Sequence, residues 1–265
     1  MKDHSNSIEK QELSRERMEL ETGGFCDLVG YNVKDYGFAE YIENIEINNS
    51  SFRRARSMMP FNYLDAKPSS FDWYAYGVDV SEAKRYANAF ILNFDMFARE
   101  GKGLYIHSNT KGSGKTLLAC CLANGIIEKR DICVKFISVP ELLEMTKKKY
   151  KGLDNQEELD GIRKAELLII DDIGTEMKKE WVDTELFRLI DWRYSNKRVT
   201  IFTSNVEIEE LNLDGRIIDR IYAMCIPVKL PEISIRKKKA DVKKNIFITK
   251  IESAPSGATN TEQGL

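Results

Sequence analysis

Residues 103–127 read GLYIHSNTKGSGKTLLACCLANGII, and the order of the three parts decides the fold. GLYIH is short, apolar and β-type, SNTKGSG is a polar glycine-rich turn, and KTLLACCLANGII is an apolar run of helical character. A buried strand that feeds a glycine turn, which in turn opens a helix, is the context of a phosphate-binding loop. Gly112 and Gly114 let the backbone curl so that successive N–H groups face inward, and the positive end of the following helix adds to an anion site. The loop Asn109, Thr110, Lys111, Gly112, Ser113, Gly114 would then wrap the phosphates of ATP, with Lys115 reaching the β- and γ-phosphates and the Thr116 hydroxyl ligating Mg²⁺. The usual pattern G-x-x-x-x-G-K-[ST] carries Asn109 at its first position. A left-handed backbone there would suit Asn, whose short amide bonds to the local chain.

Working outward, further apolar runs lie at 132–137, 166–171, 199–203 and 225–229, separated by segments of helical pattern. Their near-continuous apolarity suits strands covered on both faces, hence a central parallel sheet flanked by helices in an α/β fold. In the third run Leu167–Ile170 ends in Asp171-Asp172, which places two carboxylates at the C-terminal edge of a buried strand, where open α/β sheets bind ligands. Asp171 is the choice for holding Mg²⁺ and Asp172 for orienting the attacking water, with Glu176 the competing base. The fourth run ends in Ser204-Asn205, so a neutral amide at the same edge could hold that water or sense the γ-phosphate.

The rest of the chain narrows the class. In 265 residues, 42% hydrophobic and 31% charged content excludes wholesale disorder. A formal charge of −2 leaves nucleic-acid contact to a local patch. The five cysteines (Cys26, Cys120, Cys121, Cys133, Cys225) form no C-x-x-C pair and read as reduced, buried thiols. No apolar run is long enough for a membrane span and the start is polar, so a cytoplasmic protein without a membrane partner is expected. Residues 1–70 read as a mostly helical N-terminal appendage and linker, 71–250 as the core domain and 251–265 as a disordered tail. Tyr86, Phe90, Phe94 and Phe97 predict a helix over 81–99 with Ser81 as N-cap.

Taken together, GSGKT at 112–116, LLIIDDIGTE at 167–176, TSN at 203–205, GRIIDRI at 215–221 and SIR at 234–236 resemble the AAA+ P-loop ATPases of the DnaC/DnaI helicase-loader group, with IstB-type transposition helpers as relatives. That resemblance, over residues 71–240, implies ATP hydrolysis between subunits of a ring or spiral. Asn205 would be the sensor-1 residue, Arg220 the arginine finger offered to a neighbour and Arg236 the sensor-2 arginine on the chain's own nucleotide; Arg216 is a rival finger. A guanidinium suits charge spreading over a transferring phosphoryl group, whatever the family. The resemblance also implies a replicative DNA helicase as partner of the N-terminal region, where the charged helix expected within residues 1–22 (IEKQELSRERMELE) and Tyr31–Tyr41 are candidate surfaces, and single-stranded DNA as a second partner. Lys147, Lys148 and Lys149 beside Tyr150 offer charge for phosphates and a ring for stacking; the same pattern also fits a solvated helix end with Leu142, Leu143 and Tyr150 facing the core. A helper acting on duplex DNA, or a nucleotide-gated adaptor with little turnover, are the alternative functions.

Overall fold

The computed structural model describes residues 49–152, 156–174 and 180–253. Five strands, β1 (Gly103–His107), β2 (Val134–Ser138), β3 (Leu167–Ile173), β4 (Val199–Ser204) and β5 (Cys225–Lys229), form one sheet in the order β2-β3-β4-β1-β5. Every pairing is parallel. The reason lies in alternation within apolar runs. On β1, Leu104 and Ile106 enter one core and Tyr105 the other; on β3, Leu167 and Ile169 face one side while Leu168 and Ile170 face the opposite one. A strand apolar on both faces needs helices over both, and right-handed crossovers supply them. Ile169 has no exposed surface, and truncating it to Ala should cost about 2–5 kcal/mol.

One face is covered by α2 (Ser81–Leu92), α3 (Phe94–Glu100) and α4 (Lys115–Lys129), the other by α5 (Val139–Tyr150), α6 (Gln156–Lys164), α7 (Glu180–Ser195) and α8 (Gly215–Met224). β2 passes into α5 without a loop. Ser138 and Glu141 cap that helix reciprocally, Ser138 N–H donating to Glu141 Oε2 at 3.1 Å and Glu141 N–H to Ser138 Oγ at 3.4 Å.

Residues 49–76, mostly assigned to the appendage by composition, lie on the core. From α1 (Asn49–Ala55), Arg53 pairs with Asp131 at 2.8 Å and Arg54 with Glu128 at 2.5 Å. Met59, Phe71 and Tyr76 are buried in the α4 side of the core. Asn124 of α4 donates to the carbonyls of Tyr63 (2.9 Å) and Ala66 (3.0 Å), which fastens the segment along the helix. With that cover α4 is buried all round: eleven of its fifteen residues are buried, from Lys115 to Ile127.

The structure departs from the sequence expectations in several places. The predicted helix over 81–99 is two helices broken at Asn93, whose side-chain amide turns back to the Ala89 carbonyl at 3.1 Å; apolar spacing alone passes through such a break. Ser81 is not the cap. Val80 stands at the cap without a side-chain bond, and Asp79 before it accepts from the Ser81 N–H at 2.9 Å and its hydroxyl at 3.1 Å, bonds that hold the Asp79 carboxyl below its ordinary value. Cys120, Cys121 and Cys225 are buried, but Cys133 is exposed because it precedes β2 rather than lying in it; Cys26 is outside the described residues. The last helix, α9 (Ile235–Ser253), extends into the segment read as tail. Among the described residues no helix is long and apolar enough to cross a membrane.

Candidate nucleotide site

The sheet order brings the site together. β1 lies between β4 and β5, and its last residue, His107, is opposite Ser204 on one side and Lys229 on the other. The loop after β1, the polar end of β4 and the connection after β5 therefore leave the sheet at the same edge, with the end of β3 one strand further on. Backbone bonds extend the contact beyond the strands: Ser108 N–H donates to Ser204 O at 3.3 Å, and Leu230 N–H to His107 O at 2.8 Å.

The loop 108–114 turns through Gly112 (φ 80°) and Gly114 (φ 99°), both left-handed. A Cβ on Gly112 would stand 2.8 Å from Ser234 Oγ, and one on Gly114 2.7 Å from Ile235 Cδ1, so neither backbone angle nor space admits a side chain. Asn109 is not among the left-handed residues; its N–H instead donates to Glu232 Oε1 at 3.0 Å. Lys111 is exposed at the turn and Ser113 fully buried. The Ser113 carbonyl accepts the Tyr76 hydroxyl. Lys115 is only 6% exposed, and its three N–H groups meet three acceptors: Ser108 O (3.1 Å), Thr110 O (3.2 Å) and Ser113 Oγ (3.3 Å). Burial pulls the ammonium below the usual lysine range, against the opposing fields of Asp172, Glu232 and Asp171.

At the end of β3 the ladder slips. Ile170 is paired with Phe202 and Ile173 with Ser204, so Asp171 and Asp172 together face the single residue Thr203, as in a β-bulge. Asp172 takes a left-handed φ of 58°, a conformation an Asp tolerates better than most residues. Thr203, buried completely, serves both acids: its hydroxyl donates to Asp171 Oδ1 at 2.6 Å and accepts the Asp172 N–H at 2.9 Å. The Thr116 hydroxyl also hydrogen-bonds to Asp171. Burial raises the Asp171 carboxyl above its ordinary value, the two hydroxyls counteract, and the neighbouring Asp172 adds to the rise. A threonine hydroxyl and a carboxylate set side by side are hard oxygen donors, a set that fits Mg²⁺.

The remaining predicted residues fall into three groups. Arg236, at the start of α9, donates its backbone N–H to Gly112 O at 3.1 Å and so stands against the loop of its own chain. Asn205 follows β4 directly and is half-buried at the same edge. Arg216 and Arg220 stand apart, on α8 against α7: each guanidinium carbon is 4.6 Å from the Phe187 ring centroid, Arg216 pairs with Asp214 at 3.0 Å and Arg220 with Asp191 at 2.6 Å. Lys147, Lys148, Lys149 and Tyr150 form the end of α5. Lys147 lies over Trp181 and Lys148 pairs with Glu144 at 2.9 Å. Tyr150 does not face the core: it is 65% exposed, tied by its hydroxyl to Glu185 (2.8 Å) and Arg188 (3.0 Å). Glu176 lies outside the described residues.

Two residues bonded into the candidate site escaped the sequence reading. Thr203 was read only as part of a polar strand end. Glu232 carried no signal of its own, yet its carboxylate takes the Asn109 N–H and the Ser108 hydroxyl (3.3 Å); burial pushes it upward, but the bonds from Asn109, Thr110 and Ser108 hold it below its ordinary value.

The family model described as IstB-like ATP binding protein matches residues 40–242. The chain belongs to that family. It is 27% identical over 173 residues to the replicative helicase loader DnaI of Bacillus subtilis strain 168, covering 58% of this chain and 55% of that protein. Against the replicative helicase loader DnaC of Escherichia coli K12 the identity is 28% over 146 residues, 54% of this chain and 56% of the relative. This member of the family thus spans about half the length of the curated relatives it matches. A crystal structure of the DnaC helicase loader superposes with a TM-score of 0.58 at 25% identity, over 65% of this chain and all of that one. Sequence and fold agree on a DnaC/DnaI-like AAA+ protein with an ATP-binding P-loop.

Proposed function

We propose that this chain hydrolyses ATP between neighbouring copies and uses that cycle to load a replicative hexameric helicase onto single-stranded DNA. What carries this is the convergence on one sheet edge of Lys115, Thr116, Asp171, Thr203 and Arg236, with the arginines of α8 placed elsewhere on the same chain. Relatives named as replicative helicase loaders support the biological half of the reading.

In this reading the loop amides and Lys115 bind the phosphates, and Arg236 adds a second cation from α9. Thr116 and Asp171 would hold Mg²⁺, which supplies charge neutralisation on the phosphate oxygens when bound. Asp172, carried on the bulge, orients the attacking water, with Glu176 as the other base and Asn205 as a donor beside it. Arg220 of an adjacent copy stabilises the charge that develops on the transferring phosphoryl group, an effect worth about 10³–10⁵ in rate. The N-terminal region contacts the helicase. Lys149 and the open ring of Tyr150 contact single-stranded DNA, while Lys147 and Lys148 add charge from within their present pairings.

The test uses closed circular single-stranded DNA, a replicative hexameric helicase, ATP and the full chain. Helicase should remain on the circle only when ATP and an intact Lys115 are both present; retention indifferent to either overturns the proposal. The match to the IstB-like family model favours a second reading, a helper that assembles on duplex DNA. ATP-dependent co-sedimentation with duplex, and none with a helicase, would select it.

A further inference from the structure

On α7, Phe187 and Asp191 are four residues apart, and so are Arg216 and Arg220 on α8; each pair therefore shares one helix face, and the two faces meet. Beneath them Leu186 and Ile190 pack with Ile217 and Ile221, which fixes the two helices against each other. Arg220 sits in a three-sided cradle: its Nε donates to Asp191 Oδ1 at 2.6 Å, its Nη1 donates to the Arg216 carbonyl at 2.9 Å, and the Phe187 ring lies 4.6 Å from its Cζ. Its side chain is 26% exposed, against 66% for Arg216.

We propose that Asp191 and Phe187 are positioning residues which hold the Arg220 guanidinium at a fixed attitude for the nucleotide of a neighbouring copy. This rests on the reading of Arg220 as a finger acting in trans. A guanidinium has five N–H donors; the cradle uses two and leaves three, including both on Nη2, for phosphate oxygens. A free arginine would have to lose its rotamer freedom when the neighbour arrives, and a misplacement of about 1 Å at a reacting centre can lower a rate by about 10²-fold. The cradle removes both losses before the copies meet. Arg216 takes the lesser role: its Nε and Nη2 are committed to Asp214, and its carbonyl and the ring it shares help to shape the seat of Arg220.

The experiment measures steady-state ATP turnover against chain concentration, together with affinity for a fluorescent ATP analogue, for the full chain and for Asp191→Asn, Phe187→Leu, Phe187→Tyr and Arg220→Ala. Asp191→Asn should lower kcat about tenfold and Phe187→Leu severalfold, with analogue affinity and unfolding midpoint unchanged; Phe187→Tyr keeps the ring and should keep the rate. Asp191→Asn copies are then mixed with Lys115→Ala copies, whose finger side is intact. Turnover in the mixture should rise above the sum of the two variants alone, because the good loop of one now faces the good arginine of the other. Unchanged or raised kcat in Asp191→Asn, with Arg220→Ala still inactive, overturns the cradle and leaves the finger standing. Failure of the mixture to recover makes Asp191 merely structural and also overturns it. Full turnover in Arg220→Ala removes the finger itself.

Discussion

At the edge shared by β1 and β3, all three Lys115 N–H groups find acceptors within the chain and Asp171 and Glu232 are hydrogen-bonded there, whereas on α8 the guanidinium groups of Arg216 and Arg220 are held by acids and a ring with donors to spare. The first region is fully built in one chain: a lysine 6% exposed, a threonine shared by two acids, a loop stitched to the strand on either side. The second is carried by α8 and α7, where Asp191, Phe187 and the Arg216 carbonyl hold the Arg220 guanidinium. In the proposed function, phosphate binding belongs to the single chain, while transition-state charge stabilisation waits for assembly. That contrast is open to direct attack.

The largest effect is expected from the finished region. Lys115→Ala removes the cation that the loop carbonyls hold, and turnover should fall to background with loss of nucleotide affinity, read by calorimetric titration with ATP and Mg²⁺. Arg220→Ala should lower turnover by about 10³-fold, equivalent to about 4 kcal/mol of barrier, with affinity for ATP nearly unchanged. Equal losses of affinity in the two variants would erase the division of labour. Thr203→Val strips the partner from Asp171 Oδ1 and from the Asp172 N–H, and chemical denaturation should show a loss of about 2–3 kcal/mol.

The smallest effect is a gain. Because burial raises the Asp171 carboxyl above its ordinary 3.8, the folded chain holds that proton more tightly than the unfolded one, and stability falls as pH rises through that window. Asp171→Asn should therefore be more stable at neutral pH, by about 1 kcal/mol, with the advantage shrinking as pH falls toward 4, while Mg²⁺-dependent turnover is lost. Urea midpoints across that range decide it.

How far the sequence reaches can be seen in particular residues. The strands were legible because Leu167–Ile170 is apolar at every position and VTIFT is apolar but for its threonines, the near-continuous pattern of a strand covered on both faces. The loop was legible because GSGKT follows a strand and opens a helix. The bulge was not: two consecutive aspartates look the same in a regular ladder, and only the pairing with β4 shows that both face Thr203. Glu232 was beyond reach as well, since its contact with Asn109 spans 123 residues and no local pattern announces it. Asn93 illustrates a local competition: its amide takes a helix carbonyl and ends one helix while the aromatic spacing continues into the next.

The all-round burial of α4 decides where the chain can be cut. A fragment beginning at Phe71 would lose Tyr63, Ala66 and Pro68 from the outer side of that helix and leave the Asn124 amide without its two carbonyls. The greasy stripe so uncovered should make that fragment clump in light-scattering measurements, whereas one beginning at Asn49 should stay dispersed.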